Sequence, residues 1–220
     1  MAMRFHDRID AGKQLAAAVE KKYRGADAVV YPLPRGGVPL GIEVARALSI
    51  PLDLVIPRKI GHPYNPEYAI CAVAECGETV CNERERERVD QTWFEQRVNE
   101  ERRESKRRRE LYLAGRKPVP VEGKTAILVD DGIATGLTMR AAIRDMRARK
   151  ASHVVVAIPV VPQDTAERLA TEVDDVVALS IDAYYLGAVG AYYDDFSQVS
   201  DTEVMEMMKQ LDQQGKSGEA

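Results

Sequence analysis

The stretch Ala126–Met139, AILVDDGIATGLTM, restricts the possible folds more than any other. An apolar run predicts a strand over Thr125–Val129 that stops at two adjacent carboxylates, Asp130 and Asp131. A loop with Gly132 and Gly136 follows, carrying hydroxyls at Thr135 and Thr138. A helix is then predicted over Thr138–Arg149, with Met139, Ala142, Ile143 and Met146 on one face. A strand that ends in a glycine loop and opens a helix is one unit of a parallel α/β sheet.

The rest of the chain fits that unit. A helix is expected from Asp10 to Tyr23, then a buried strand over Ala28–Leu33, a Pro34-Arg35-Gly36-Gly37 break and a helix over Val38–Leu48. Leu52–Ile56 reads as a second buried strand. After the motif come a strand at His153–Val160, a helix at Gln163–Thr171 and a strand at Asp175–Ser180. A last helix is expected over Asp201–Leu211, capped by Ser200 or Asp201, with a small polar tail from Gln213 to Ala220 expected to be disordered.

One region breaks the rhythm. Tyr68–Cys81 alternates around Cys76-Gly77-Glu78 in the manner of a β-hairpin. Glu83–Tyr112 interleaves acids and bases and carries only a thin apolar stripe. Its Lys106-Arg107-Arg108-Arg109 run is surrounded by Glu101, Glu104 and Glu110. It therefore reads as a salt-bridged helix, an arm or cover over the core, rather than a nucleic-acid site. The chain as a whole has 31 Lys and Arg against 35 Asp and Glu, a net charge of −4. No global basic field attracts nucleic acid, and no apolar run reaches membrane-spanning length. Met1–Asp10 lacks the apolar stretch of a secretory signal. Cys71, Cys76 and Cys81 are odd in number and evenly spaced, so reduced thiols in a cytoplasmic protein are expected. The expectation is one domain over residues 1–220.

The motif also specifies chemistry. Glycines let the backbone aim several N–H groups into one concavity, and the next helix turns its free N–H groups and positive dipole end to the same point. Thr135 and Thr138 add hydroxyl donors, giving a phosphate cradle without Lys or Arg. Two carboxylates at its rim would repel a phosphate unless they face hydroxyl donors or positive charge. A ribose diol supplies the first, and a Mg²⁺-bound sugar pyrophosphate supplies both. The site therefore suits a sugar phosphate at the carboxyl end of a strand. Gly36 and Gly37 can direct further N–H groups at an anion, with Arg35 adding a bidentate contact.

Ile127–Met139 resembles the phosphoribosyl pyrophosphate (PRPP) signature of type I phosphoribosyltransferases. The resemblance implies their α/β fold, a central mostly parallel sheet flanked by helices. The hairpin and charged helix would form an insertion over about 61–117, and a C-terminal hood would span about 182–200. It implies that Asp130 and Asp131 hold the ribose 2- and 3-hydroxyls. Gly132, Ile133, Ala134, Thr135, Gly136, Leu137 and Thr138 would form the phosphate loop, with Ala134 to Thr138 on the 5-phosphate. Arg35, Gly36 and Gly37 would meet the pyrophosphate, together with Lys59 or Arg58. His62, Asn65 or Glu67 would belong to a mobile catalytic loop over Gly61–Glu67. In the hood, Tyr192, Tyr193 and Asp194 either contact an acceptor base or form a tyrosine-rich turn packed on the sheet. The implied reaction moves ribose 5-phosphate from PRPP to a nitrogenous acceptor with Mg²⁺ and release of pyrophosphate. The alternative is a PRPP-sensing regulator with little turnover. Ala134 stands where 6-oxopurine enzymes carry an acid, which argues against an enzyme of that type. A homodimer is expected, with no nucleic-acid or membrane partner.

Overall fold

The computed structural model describes residues 3–217. Its main sheet is wholly parallel, in the order β1-β5-β6-β7. The strands are β1 (Ala28–Pro32), β5 (Thr125–Val129), β6 (His153–Pro162) and β7 (Asp175–Asp182). β1 is buried along its whole length, as expected where helices cover both faces. Successive residues point to opposite faces, so each strand feeds two cores. Val30, Ile127, Val129 and Val155 pack with helices α1 (Arg8–Tyr23) and α2 (Gly37–Leu48). Tyr31, Leu128, Val154 and Val156 pack instead with α5 (Leu137–Ala148) and α6 (Gln163–Ala170).

Local chemistry sets the element ends. Asp7 caps α1 by accepting from the Asp10 N–H at 2.8 Å, so the helix starts at Arg8, two residues before the expected Asp10. Ser200 and Glu203 form a reciprocal capping box for α7 (Asp201–Ser217). That helix continues through residues 213–217, where a polar tail was expected. Gly218–Ala220, the remainder of that tail, lie outside the described residues.

Leu52–Ile56 is a partial correction. It does lie along β1, through bonds from Val30 N to Pro51 O and from Asp53 N to Val30 O, both 3.0 Å. Only Leu52 forms a bridge, however, and no strand is completed. Asp53 turns its carboxylate onto the Leu54 N–H at 2.7 Å and the Val119 N–H at 3.1 Å. Its buried charge is thus satisfied locally instead of the ladder being extended.

A separate antiparallel sheet, β2-β3-β4, is built from Arg58–His62, Asn65–Val73 and Thr79–Cys81, starting three residues before the segment expected as an insertion. Residues 61–67, expected as a mobile catalytic loop, are largely the tip of the β2–β3 hairpin. Gly61 is required there, since a Cβ would lie 2.0 Å from the Pro66 carbonyl oxygen. The expectation of three reduced thiols is also corrected. Cys71 and Cys81 face each other across β3 and β4 and form a disulfide, and Cys76 in the turn stays free and exposed. Even spacing concealed the pair because the hairpin folds the chain back between them.

The charged helix is present in two pieces, α3 (Glu83–Arg86) and α4 (Gln91–Leu113), divided where Asp90 caps the Trp93 N–H at 2.8 Å. α4 does cover the core edge. Ser105 donates to the Ile56 carbonyl at 2.6 Å, Arg109 to the Leu54 carbonyl at 3.1 Å, and buried Glu101 accepts from Arg58 at 2.8 Å. Phe94 and Val89 close a small apolar cluster with Ile60, Ile70 and Val73.

Candidate functional site

The β5 strand ends at Val129, and the loop to α5 begins at Asp130 beside the loop that leaves β1. Their contact is close. A Cβ on Gly36 would lie 2.0 Å from Asp131 Oδ2, and one on Gly37 would lie 2.5 Å from the Val129 carbonyl oxygen. Only glycine permits this approach. The Pro34–Arg35 peptide bond is cis. Gly136 holds φ +77° immediately before α5, and a Cβ on Gly132 would strike Val189 at 2.5 Å.

Backbone donors dominate the two loops. Among the described residues, the N–H groups of Arg35 and Gly36 have no protein acceptor. Nor do those of Ala134, Thr135, Gly136, Leu137 and Thr138. The second run begins α5, so it combines orphan donors with the positive dipole end. Ala134 and Thr135 are exposed and Thr138 is half-buried, which leaves the cradle open to solvent. Thr165 donates to the Ala134 carbonyl at 3.1 Å and Ile133 N to the Val160 carbonyl at 3.0 Å, fixing the loop from below.

The carboxylates are placed differently. Asp131 meets the Arg8 guanidinium, Nε to Oδ2, at 2.8 Å. Asp130 accepts from the Asp131 N–H at 2.9 Å and has no cation of its own. Burial pushes the Asp130 carboxyl well above the usual carboxylate range, and the neighbouring Asp131 charge adds to this. Asp131 is also raised by burial, with Arg8 pulling the other way. One guanidinium thus serves two adjacent carboxylates, which leaves the ionised form of the pair undercompensated.

Arg8 escaped sequence reasoning, being 123 residues from its partner. It also donates to the Ser197 carbonyl at 2.6 Å and lies 3.9 Å from the Phe196 ring centre. One local sign was available: a cation at the start of a helix opposes the dipole, so Arg8 must be held there by something else.

Other expected residues fall elsewhere. Arg35 reaches Asp201 at 3.3 Å, and Tyr112 donates to that same carboxylate at 2.7 Å. Lys59 pairs with Glu67 at 3.1 Å on the second sheet. It lines another depression, with His62, Trp93 and Arg97. The hood tyrosines take the packing alternative. Tyr192 is fully buried and donates to Asp182 at 2.6 Å. Tyr193 packs between Phe5 and Phe196 and donates to the Asp131 carbonyl at 2.6 Å. Neither ring has a free face for a base, and Asp194 is paired with Arg4. The exposed hood tyrosine is Tyr184.

No helix among the described residues is long and apolar enough to cross a membrane. Two Mycobacterium tuberculosis proteins, described provisionally as phosphoribosyl transferases, are 42% identical over 203 residues. The match takes in 91% of this chain and 45% of theirs, so the chain spans about half the length of these curated relatives. The crystal structure of TT1426 from Thermus thermophilus is 41% identical, covers 95% of this chain and 99% of its own, and superposes with a TM-score of 0.78. The AQ2163 protein from Aquifex aeolicus shares the fold alone, at 11% identity and a TM-score of 0.50, over 80% of this chain and 74% of its own. Residues 4–195, which include both loops and both carboxylates, match the phosphoribosyl transferase domain model, and the chain belongs to that family.

Proposed function

We propose that the chain binds Mg²⁺-PRPP across the two loops and transfers its ribose 5-phosphate to a nitrogenous acceptor, releasing pyrophosphate. The observation that carries this reading is the run of unpartnered N–H groups from Ala134 to Thr138 beside two half-buried, undercompensated carboxylates. The amides suit the 5-phosphate, and the carboxylates suit a ribose diol. The site also fits the metal. Two acid groups are too few for an all-protein cage, whereas magnesium keeps its waters and shares phosphate oxygens. When bound, the ion neutralises charge on the pyrophosphate.

The protein's own part is positioning and electrostatics. Asp130 and Asp131 orient the ribose and favour cationic character at its anomeric carbon. The Arg35 and Gly36 amides, with the Arg35 guanidinium, receive negative charge as pyrophosphate leaves. Gly37 does not donate, since its N–H is bonded to the Leu33 carbonyl at 3.0 Å. Lys59 joins only if the β2–β3 hairpin moves toward the loops. The acceptor is a base that does not rely on Tyr192 or Tyr193 for stacking. The working unit is a homodimer, which light scattering would test.

The deciding assay is pyrophosphate release from PRPP and Mg²⁺ with pooled purine and pyrimidine bases, against an Asp130→Asn/Asp131→Asn control. Release that requires both the pool and the acids is expected, and Asp131→Asn alone should lower it by about 100-fold or more. Calorimetric PRPP binding without release for any acceptor would favour a regulator on the same fold. Absence of PRPP binding would overturn the reading.

A further inference from the structure

Helix α4 distributes its charges unevenly. Arg97, Arg107 and Arg108 each meet a carboxylate of their own helix at 2.7 Å. Arg109 is held by Asp53 at 3.3 Å and Glu75 at 3.1 Å. Arg102, Arg103 and Lys106 are different. All three are exposed, and among the described residues none has a hydrogen bond or ion pair. Their spacing puts them on one helix face, where like charges repel. In a chain with more acids than bases, these are three neighbouring cations with no direct acid partner.

The three cations border a recess of about 650 Å³. Ser105 and Arg109 also line it, and Glu75 is its one carboxylate. Glu75 is already held by two guanidinium groups, Arg109 and Arg149, each at 3.1 Å. An anion entering the recess therefore meets positive charge that nothing else has claimed. The β3–β4 turn contributes Glu75 to the recess and lies close to Arg102, since a Cβ on Gly77 would be 3.1 Å from its guanidinium carbon. The volume is in the range of small-molecule sites, and forked guanidinium groups match phosphate oxygens.

We infer that this recess is a second anion site, separate from the Asp130–Asp131 loops, which takes a small ligand bearing more than one phosphate. Its occupancy would be felt in the core edge. Ser105 and Arg109 bond the Ile56 and Leu54 carbonyls, and Glu75 accepts from the Ile56 N–H at 3.1 Å. That segment lies along β1, whose end opens the Arg35–Gly36 loop. A ligand bridging α4 and Glu75's partners would stiffen it.

The probe is inorganic tripolyphosphate, used on the full chain with two readouts. Acetylation by a limiting anhydride, read by mass spectrometry, should slow at Lys106 by about fivefold or more under the probe. Lys150, on the surface beyond α5, should be unaffected. The Arg102→Gln/Arg103→Gln/Lys106→Gln variant keeps exposed helix formers and should melt as the parent does. It should lose one calorimetric binding event, or weaken it by about tenfold or more, while retaining binding at the Thr135–Thr138 loop. Equal binding isotherms for parent and variant would overturn the inference. Unchanged Lys106 reactivity would do so too, as would protection of Lys106 by an Asp/Glu-rich peptide but not by tripolyphosphate.

Discussion

At the scale of single residues, the site depends on atoms that are absent. Gly36 lets the first loop touch Asp131, and an alanine there would place a Cβ 2.0 Å from Oδ2. Gly36→Ala should cost about 1–3 kcal/mol in a thermal or urea melt and abolish calorimetric PRPP binding; wild-type affinity would show that the loops need not touch. Asp130 illustrates the opposite tension. Its carboxyl is raised by burial and by Asp131, so the folded state binds protons that the unfolded chain has released. Without ligand, stability therefore falls as pH rises from the ordinary carboxylate range through the raised value. Asp130→Asn keeps an oxygen for the Asp131 N–H and removes the charge. It should stabilise the free protein at neutral pH by about 1 kcal/mol, or roughly 2–4 °C, while reducing pyrophosphate release to background. Differential scanning calorimetry across pH would check both the sign and the slope.

At the scale of elements, strands and helices of the main sheet were legible because their apolar runs are continuous and bounded by glycine, proline or charge. Thr125–Val129 is found as expected, and α5 starts one residue earlier. The placement of Asp130, Asp131 and the loop to α5 was legible for the same reason, since strand, loop and helix are contiguous. What escaped were pairings made only by tertiary folding. Arg8 with Asp131 and Cys71 with Cys81 have no signature in spacing. Leu52–Ile56 looked like a strand by apolarity, but Asp53 commits its hydrogen bonds to α4 and Val119. Within α4, Glu104 is held down to about 2, by Arg107 first and then by Arg108. That support is complete above the ordinary glutamate value of 4.5 and is lost as pH falls toward 2. Glu104→Gln should therefore cost about 0.5 kcal/mol at neutral pH, and the gap in urea melts should narrow below pH 4.5.

At the scale of the whole molecule, the two sheets should differ in cohesion. β1, β5 and β6 of the main sheet are buried on both faces over nearly their whole length, whereas the hairpin sheet rests on α4 and α5 through small clusters. Hydrogen exchange followed by mass spectrometry should show β2–β4 opening at lower free energy than β5 and β6. Reducing the Cys71–Cys81 bond should increase that difference by about 1–3 kcal/mol. Equal protection in both sheets would mean the insertion and the core open as one unit. A last consequence comes from the residues before α1. Phe5 exchanges backbone bonds with Tyr192 and Asp194, and Arg8 reaches Ser197 across 189 positions of sequence. These contacts join a segment made before the main sheet to one made after it. On the ribosome, Asp131 can be synthesised and the sheet begun while Arg8 still lacks the hood that holds it. Order at the acid pair should thus arrive late, after the strands have zipped, as the slow step that non-local contacts impose.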